Sequence, residues 1–552
     1  MIVLINFLNK FLYQCSNIFT NFIKMCSCFV NRKIFYREKH RFYGGIDFVS
    51  MKINRSSSKF HNIVLPKNFF ILIDDVITLK NKIVVNVGQL VLRGQILALG
   101  DNNIAPVHSP TSGLIIAIVK KKFSFFSKKY FSIINIKTDG KDNCINFHSF
   151  NNYKCFSTSK IIQLIYNSGI IGLGGAGFLS SKKLKLAIKK AHTLVINAVE
   201  SEPYITSDDC LVQHFAKEII EGCKIITWIL KIKCVLIVLE DGKHKAYIKL
   251  KKELKLFSNF SIRQIKKKYP SGSSKQLIQI LFNKEIPYGK HSIDLGIVIF
   301  NVSTVFSIKR AVINGEPLIE RIVTISDSEL LYQKNVLIRI GTPISHVLSE
   351  CNINIHNSTV IIGGPITGRI VNDLSFSILK TNSSILCTKL NFMSNKLEGP
   401  CIRCTECSRL CPIRLLPEQL YFYSKVSDHK KSQEYHINEC IECGICEQVC
   451  PSNIPLITYF KKEQSKLNKI KFKENMSKRF KKLFLSRQSR LYHSDLIHKN
   501  IVNSNSPLDE QCNNSIIINN NIERITIQKS NYFRKIELKA AISRAKLKKD
   551  MK

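Results

Sequence analysis

CIRCTECSRLCP at residues 401–412 and CIECGICEQVCP at residues 440–451 are one pattern written twice. Each copy spaces four cysteines as C-x2-C-x2-C-x3-C and follows the last with a proline. Cysteines stepping by three around a tight turn bring three thiolates to one cubane, and the fourth, just ahead of the proline, leaves in another direction. The reading is therefore crossed. Cys401, Cys404, Cys407 and Cys450 hold one [4Fe–4S] cluster, and Cys440, Cys443, Cys446 and Cys411 hold the second. Structural zinc uses paired CxxC knuckles with no third cysteine at the same step. A disulfide framework belongs to small domains in oxidising compartments, and a chain of 552 residues without a secreted character fits neither condition. The other eleven cysteines scatter without pairing, as free thiols in a reducing cytosol do.

A chain of this length with 45% hydrophobic residues holds several domains with ample cores. Its net charge of +43 invites a nucleic-acid reading, but the lysines are spread throughout and no nucleic-acid-reading module is present. The charge instead favours anionic membranes or acidic partner subunits. Residues 1–39 form an N-terminal extension. Lys10 and Lys24 interrupt its apolar first part, so no run reaches the ~20 apolar residues of a spanning helix. A basic leader and small-residue cleavage site are absent there. A surface-lying, packed or disordered extension all stay open. With no spanning segment later, the protein reads as soluble or peripheral.

Outward from the cysteines, the fold class is multi-domain: α/β plus small β domains. In residues 40–150, VVNVGQLVLRGQILALG (84–100) and PVHSPTSGLIIAIV (106–119) alternate short apolar strands with glycine turns, which predicts a β-sandwich with a hairpin at each end. It resembles the lipoyl-type, barrel-sandwich hybrid domain, without a lysine in the turn that such domains modify, so a structural role is expected. Residues 151–328 alternate helix and strand. SKIIQLIYNSG (159–169) is an amphipathic helix; TLVINAV (193–199), KCVLIVLE (233–240) and DLGIVIFNV (294–302) are strands of a buried parallel sheet. Gly172, Gly174 and Gly177 spell G-x-G-x-x-G after a helix, where the dinucleotide motif needs a strand. A structural glycine turn and an anion cradle both fit. For the cradle, Ser180 and Ser181 would cap the next helix, and Lys183 would neutralise a phosphate.

The strand at 193–199 runs into NAVESEPYITSDD (197–209), placing Glu200, Glu202, Asp208 and Asp209 at a ligand-binding sheet edge, or on a solvated acidic turn. Ser271–Ser274 with Lys275 is a second candidate cradle, and Asn301 and Thr304 sit at a strand-to-helix junction. Residues 329–392 form a small β-grasp-like domain and 393–462 the ferredoxin-like two-cluster helical domain. Residues 463–552 are a basic, partly disordered tail with an Asn-rich run at 503–521 and a helical appendage at 536–552.

FYGGI (42–46), VHSPTSG (107–113), GLGGAGF (172–178), INAVESEPYITSDD (196–209), KYPSGSSKQL (268–277), INGEP (313–317), IGGP (362–365) and both cysteine motifs occur in one order. Over about residues 40–462 the chain resembles the C-subunit family of the Rnf (also called Rsx) ion-translocating electron transport complexes. Its central domain is similar to the NADH-binding flavoprotein subunit of respiratory complex I. The resemblance implies FMN at Gly172, Gly174, Gly175, Gly177, Lys183, Asn197, Glu200, Asn301 and Thr304, with Phe178 and Glu202 facing NADH. Leu179, Val199, Ser273 and Ser274 depart from the complex I pattern. It further implies an electron-input oxidoreductase subunit, peripheral on the cytoplasmic side of the bacterial inner membrane. Its partners would be integral-membrane and other subunits, NAD(H) and ferredoxin, with no nucleic acid. The alternative is an iron–sulfur wiring subunit with no nucleotide site of its own.

Overall fold

The computed structural model describes residues 42–48, 60–76, 79–80, 82–101, 103–122, 130–150, 152–327, 332–353, 358–389 and 397–504. The extension at 1–39, most of the Asn-rich run and the expected helix at 536–552 lie outside them. The chain divides into two compact units, one ending at Leu467 and the other starting at Asn468.

The first unit is built around an α/β domain. Its elements in order are α1 (Thr158–Asn167), α2 (Ser180–Ala187), β1 (Thr193–Ala198), α3 (Ser207–Leu230), β2 (Cys234–Glu240), α4 (His244–Glu253), β3 (Phe260–Ile265), α5 (Ser274–Phe282), β4 (Ile297–Asn301) and α6 (Val302–Lys309). The strands form a parallel sheet in the order β3-β2-β1-β4. Successive side chains of a strand point to opposite faces, and here both faces are covered. Leu194, Ile196 and Ala198 enter one core with α1, α3 and α6, while Val195 enters a second core with Leu277 and Ile278 of α5. That double burial is why the strands read as unbroken apolar runs, each buried aliphatic side chain contributing about 1.5–3 kcal/mol.

A barrel-sandwich precedes this domain. Its five-stranded sheet takes Asn68–Val76, Leu79–Lys80, Leu90–Val91, Gly113–Lys122 and Tyr130–Thr138, and a three-stranded sheet takes Lys82–Ile83, Ile96–Leu99 and Val107–His108. Phe69, Ile71, Leu97, Ile115 and Ile134 fill the space within. A six-stranded mixed sheet follows the α/β domain, ordered Phe60–Asn62, Tyr332–Arg339, Glu320–Asp327, Ser384–Thr388, Thr359–Ile362 and Arg369–Ile370. Charges bind the three layers together. Glu316 pairs with Arg310 at 2.5 Å, Arg310 with Glu320 at 2.5 Å, Glu320 with Arg339 at 3.0 Å, Arg339 with Asp142 at 3.1 Å and Asp142 with Arg93 at 2.6 Å.

Within the basic tail expected from residue 463, the described part is helical: Leu456–Ser504 is one helix. Its polar composition is rich in Lys and Leu, good helix formers, and no Gly or Pro interrupts it.

Candidate functional site

The glycine loop closes on itself and leaves its tip open. The Gly172 N–H donates to the Phe178 carbonyl at 2.7 Å and the Gly177 N–H to the Gly172 carbonyl at 3.2 Å. The Leu173 N–H donates to Thr304 Oγ1 at 2.9 Å, pinning the loop to the first turn of α6. Gly174, Gly175 and Ala176 are exposed, and their N–H groups have no partner among the described residues. Gly175 has φ +100°, open to glycine and strained for other residues, and a Cβ on Gly174 would stand 3.2 Å from the Asn301 side chain. The predicted cap is corrected. Leu179 occupies the N-cap of α2 without a side-chain bond, and Ser180 and Ser181 are buried inside its first turn. The Ser180 N–H at the helix start donates instead to the Ile170 carbonyl at 3.2 Å.

Lys183 points into the protein. Its Nζ donates to the Ile299 carbonyl of β4 and lies 4.9 Å from the Phe300 ring centroid. Burial pulls its pKa down to about 8. No carboxylate lies within ion-pair reach of it among the described residues. A buried ammonium without a counter-charge is costly, and three uncommitted N–H groups sit on the loop that precedes its helix. Both features fit an anionic group such as a flavin phosphate. A cavity of about 270 Å³ beside Leu173, lined by Phe215, Ser303, Arg310 and Arg321, contains none of the predicted flavin ligands.

The acidic stretch is not a solvated turn, because Glu200 and Asp208 are buried. The Glu200 carboxylate is buried and accepts from the Asp208 N–H at 2.6 Å, the Asp209 N–H at 3.2 Å and Ser207 Oγ at 3.3 Å. It therefore caps α3, whose own N-cap, Thr206, makes no capping side-chain bond and turns its hydroxyl to Asn335 instead. Burial pushes its pKa up, against the pull of Lys243 at 3.7 Å. Asp208 is buried too, accepting from Asn301 Nδ2 and Ser303 Oγ at 2.6 Å each. Asn197 donates to the Gly272 carbonyl at 2.9 Å and fixes the turn before α5. Glu202 accepts from the Ile366 and Thr367 N–H groups at 2.9 and 2.8 Å and from Thr367 Oγ1 at 2.9 Å. Phe178 stays exposed.

The two cysteine motifs repeat in backbone as well as in sequence. Arg403 and Thr405 in one copy, and Glu442 and Gly444 in the other, have φ between +54° and +79°. Each copy then enters a one-turn helix, Glu406–Arg409 or Ile445–Gln448. Turns that alternate right- and left-handed residues aim N–H groups into an anion-binding hollow, suited to a cluster's sulfides. Cys401, Cys404, Cys407 and Cys450 line one small pocket together. Cys411 instead lies among the other three. Burial raises Cys440 to about 12 and Cys443 to about 11, and the nearby Cys411 adds to both. Crowded, buried thiols that resist ionising fit an iron core that would stabilise them as thiolates. No three His, Cys, Asp or Glu side chains among the described residues are placed to hold a single ion. A cubane asks for that separation, because each thiolate caps a different iron.

The second cradle is spent on joining domains. Lys275 pairs with Glu439 at 2.5 Å, Gln276 Nε2 donates to the Pro412 carbonyl at 3.1 Å, and Tyr269 Oη donates to the Cys443 carbonyl at 2.6 Å. All three reach loops of the Cys440–Cys446 and Cys411 set. No hydrogen bond or ion pair joins Cys401–Cys407 to the α/β domain among the described residues. Sequence reasoning missed Tyr269, which carries no local signal because its partner is 174 residues away.

Comparison with known families agrees with this architecture. The RnfC barrel sandwich hybrid domain matches residues 40–141, the Nuo51 FMN-binding domain residues 165–310, and the 4Fe-4S dicluster domain residues 400–454. The chain is 49% identical over 453 residues to the C-subunit of the ion-translocating oxidoreductase complex of Buchnera aphidicola subsp. Baizongia pistaciae (strain Bp), covering 82% of this chain and 90% of that protein. It is 45% identical over 440 residues to the protein of the same name from Buchnera aphidicola subsp. Acyrthosiphon pisum (strain APS), covering 79% and 92%. A third, from Erwinia tasmaniensis, is 40% identical over 452 residues, covering 82% of this chain and 56% of its own length. At this identity and coverage, the chain belongs to the RnfC family, the C-subunits of ion-translocating oxidoreductase complexes.

Proposed function

We propose that this subunit accepts electrons from NADH at the glycine-loop face of its α/β domain and relays them through its two cysteine sets to the membrane subunits. As a member of its family with matched FMN-binding and dicluster domains, it is an electron-transfer subunit of an oxidoreductase complex and uses FMN and [4Fe–4S] clusters. The observation that carries the NADH-side reading is the open loop tip, with Lys183 on the following helix lacking a carboxylate partner among the described residues. In this reading, the Gly174–Ala176 N–H groups and Lys183 take the flavin phosphate. Gly172 and Gly177 close the loop, and Thr304 pins it. Asn301 backs Gly174, while Asn197 and Glu200 hold the adjoining turn and helix. Bound flavin supplies the conversion from two-electron to one-electron transfer. The protein positions groups and excludes water, with no general acid or base required. Tyr269, Lys275 and Gln276 hold the Cys440–Cys446 and Cys411 set against this domain, which makes it the nearer of the two.

Among the described residues no helix is long and apolar enough to cross a membrane, consistent with a peripheral subunit. The proposal puts it on the cytoplasmic side of the bacterial inner membrane, where NAD(H) and ferredoxin are available. One observation favours the wiring alternative: the Glu202 carboxylate is already engaged by Ile366 and Thr367. Anaerobic titration of the FMN- and cluster-loaded protein with NADH separates the two readings. Flavin bleaching followed by cluster reduction is expected, slowed in Glu202→Gln with flavin content unchanged. Protein that holds FMN and clusters, and reduces with dithionite but not with NADH, would leave only the wiring role.

A further inference from the structure

We infer that the helix beyond Leu467 is a docking element for an anionic lipid surface, with Phe472, Met476, Phe480, Leu483 and Phe484 as its inserting face. The inference deepens the peripheral-membrane reading by assigning it to one segment, and it is independent of the flavin reading. Steps of three and four place these side chains along one side of a helix. Phe472, Phe480, Leu483 and Phe484 are 51%, 60%, 54% and 56% exposed. Phe472, Met476, Phe480 and Phe484 line one open groove together with Lys473, Ser477 and Lys481. Single exposed apolar residues are ordinary on protein surfaces. Three phenylalanines, a methionine and a leucine at helical spacing, with Ile470, Leu485, Leu491 and Ile497 exposed on the same lysine-rich helix, are not, and they mark a surface that meets an apolar phase.

Charge selects the partner. Residues 468–504 carry ten Lys and Arg against only Glu474 and Asp495. Two copies of such a helix repel each other, which argues against self-association. Phe and Leu on one side with Lys and Arg around them is the composition of a helix lying in the plane of a bilayer, rings at the acyl boundary and cations at the headgroups. Each cation near an anionic surface strengthens binding by about fivefold, so the cluster prefers acidic lipid strongly. The helix does not need to span the bilayer, and it does not meet the requirement for doing so.

The test uses full-length, cluster-loaded protein and sedimentation with unilamellar vesicles. One set contains equal parts phosphatidylglycerol and phosphatidylcholine, the other phosphatidylcholine alone. Wild type should pellet with the first set and not the second, and added salt should release it. Combined Phe472→Ser, Phe480→Ser and Phe484→Ser should weaken binding about tenfold or more. Lys481→Glu with Lys482→Glu should weaken it at least as much, and iron content should stay unchanged in both. Phe480→Trp offers a second readout, a blue-shifted emission on adding phosphatidylglycerol vesicles only. Wild type that ignores these vesicles, or a triple-serine variant that binds them equally well, overturns the inference. So does a lipid-free dimer, or tight capture by an acidic subunit of the complex, that depends on the phenylalanines. Membrane pelleting through other subunits would survive each failure, so the family reading is tested separately.

Discussion

Replacing Lys183 by methionine keeps most of the side chain's volume and removes its charge. In the folded chain the ammonium bonds only to the Ile299 carbonyl, rests near the Phe300 ring and has no carboxylate partner among the described residues. If it is the cation for the flavin phosphate, its loss removes a buried charge-assisted bond of about 1.5–3 kcal/mol, roughly ten- to a hundredfold in FMN affinity. The consequence for stability is opposite in sign. Burial sets the folded pKa of Lys183 at about 8, below its ordinary value of 10.5. Such a lysine costs stability at neutral pH, and the cost fades as pH rises from the folded toward the unfolded value. Lys183→Met should therefore bind FMN far more weakly while unfolding at the same or a higher temperature at neutral pH. The wild type should also lose FMN affinity as pH climbs above about 8, and the variant should not. Fluorescence-quenching titrations of flavin-free protein at neutral and alkaline pH, with thermal melts alongside, read all of this. Equal FMN affinity in the two proteins at neutral pH would refute the assignment of Lys183 to the phosphate.

Two further outcomes concern the clusters and the frame. Cys411→Ser should lower the iron content from about eight toward about four and abolish the cluster of Cys440, Cys443 and Cys446; loss of the Cys401–Cys407 signal in electron paramagnetic resonance would instead show that the ligation is not crossed. Arg339→Met should destabilise the first unit by about 1 kcal/mol, discounted for partial exposure, because it leaves Glu320 with Arg310 alone and Asp142 with Arg93 alone. Burial acts to raise the Glu320 pKa, but Arg310 and Arg339 outweigh it and hold the carboxyl below its ordinary 4.5. Its stabilising contribution is thus present above that value and disappears as pH falls through the folded one. Melting temperature against pH should fall less steeply through the acid range in the variant; parallel curves would show that Arg339 does not set this carboxylate.

Sequence alone discloses the parts whose physics is local. The cysteine spacing is legible because the turns between successive cysteines are only two residues long. The same spacing places Arg403, Thr405, Glu442 and Gly444 in left-handed backbone. Strands buried on both faces must be apolar throughout, so β1, β2 and β4 show as unbroken runs. The failures are non-local. Ser180 and Ser181 have the right chemistry for a cap, yet the chain reaches its helical turn one residue earlier, at Leu179. Ser271–Ser274 and Lys275 look like a cradle until Glu439, far along the chain, arrives beside Lys275. No local pattern announces a partner of that kind. The first part of the tail adds a helix that sequence reasoning did not draw: polarity argues against a packed core, but it does not argue against a helix.

The acidic turn shows how a motif can serve a site without forming its wall. Glu200 spends its carboxyl oxygens on the first N–H groups of α3. That fixes Asp208 in the first turn of α3, where it holds both Asn301 and Ser303. Asn301 in turn caps α6, its side chain accepting from the Ser303 N–H at 2.9 Å, and it stands close against Gly174. The chain of bonds thus runs from Glu200 through Asp208 to the glycine loop, without either carboxylate facing the loop tip. A carboxylate at the tip would oppose an incoming phosphate. Held away from the tip, Glu200 by Lys243 and backbone N–H groups and Asp208 by Asn301 and Ser303, the same two acids brace the junction beside the loop and leave Lys183 without an ionic partner among the described residues.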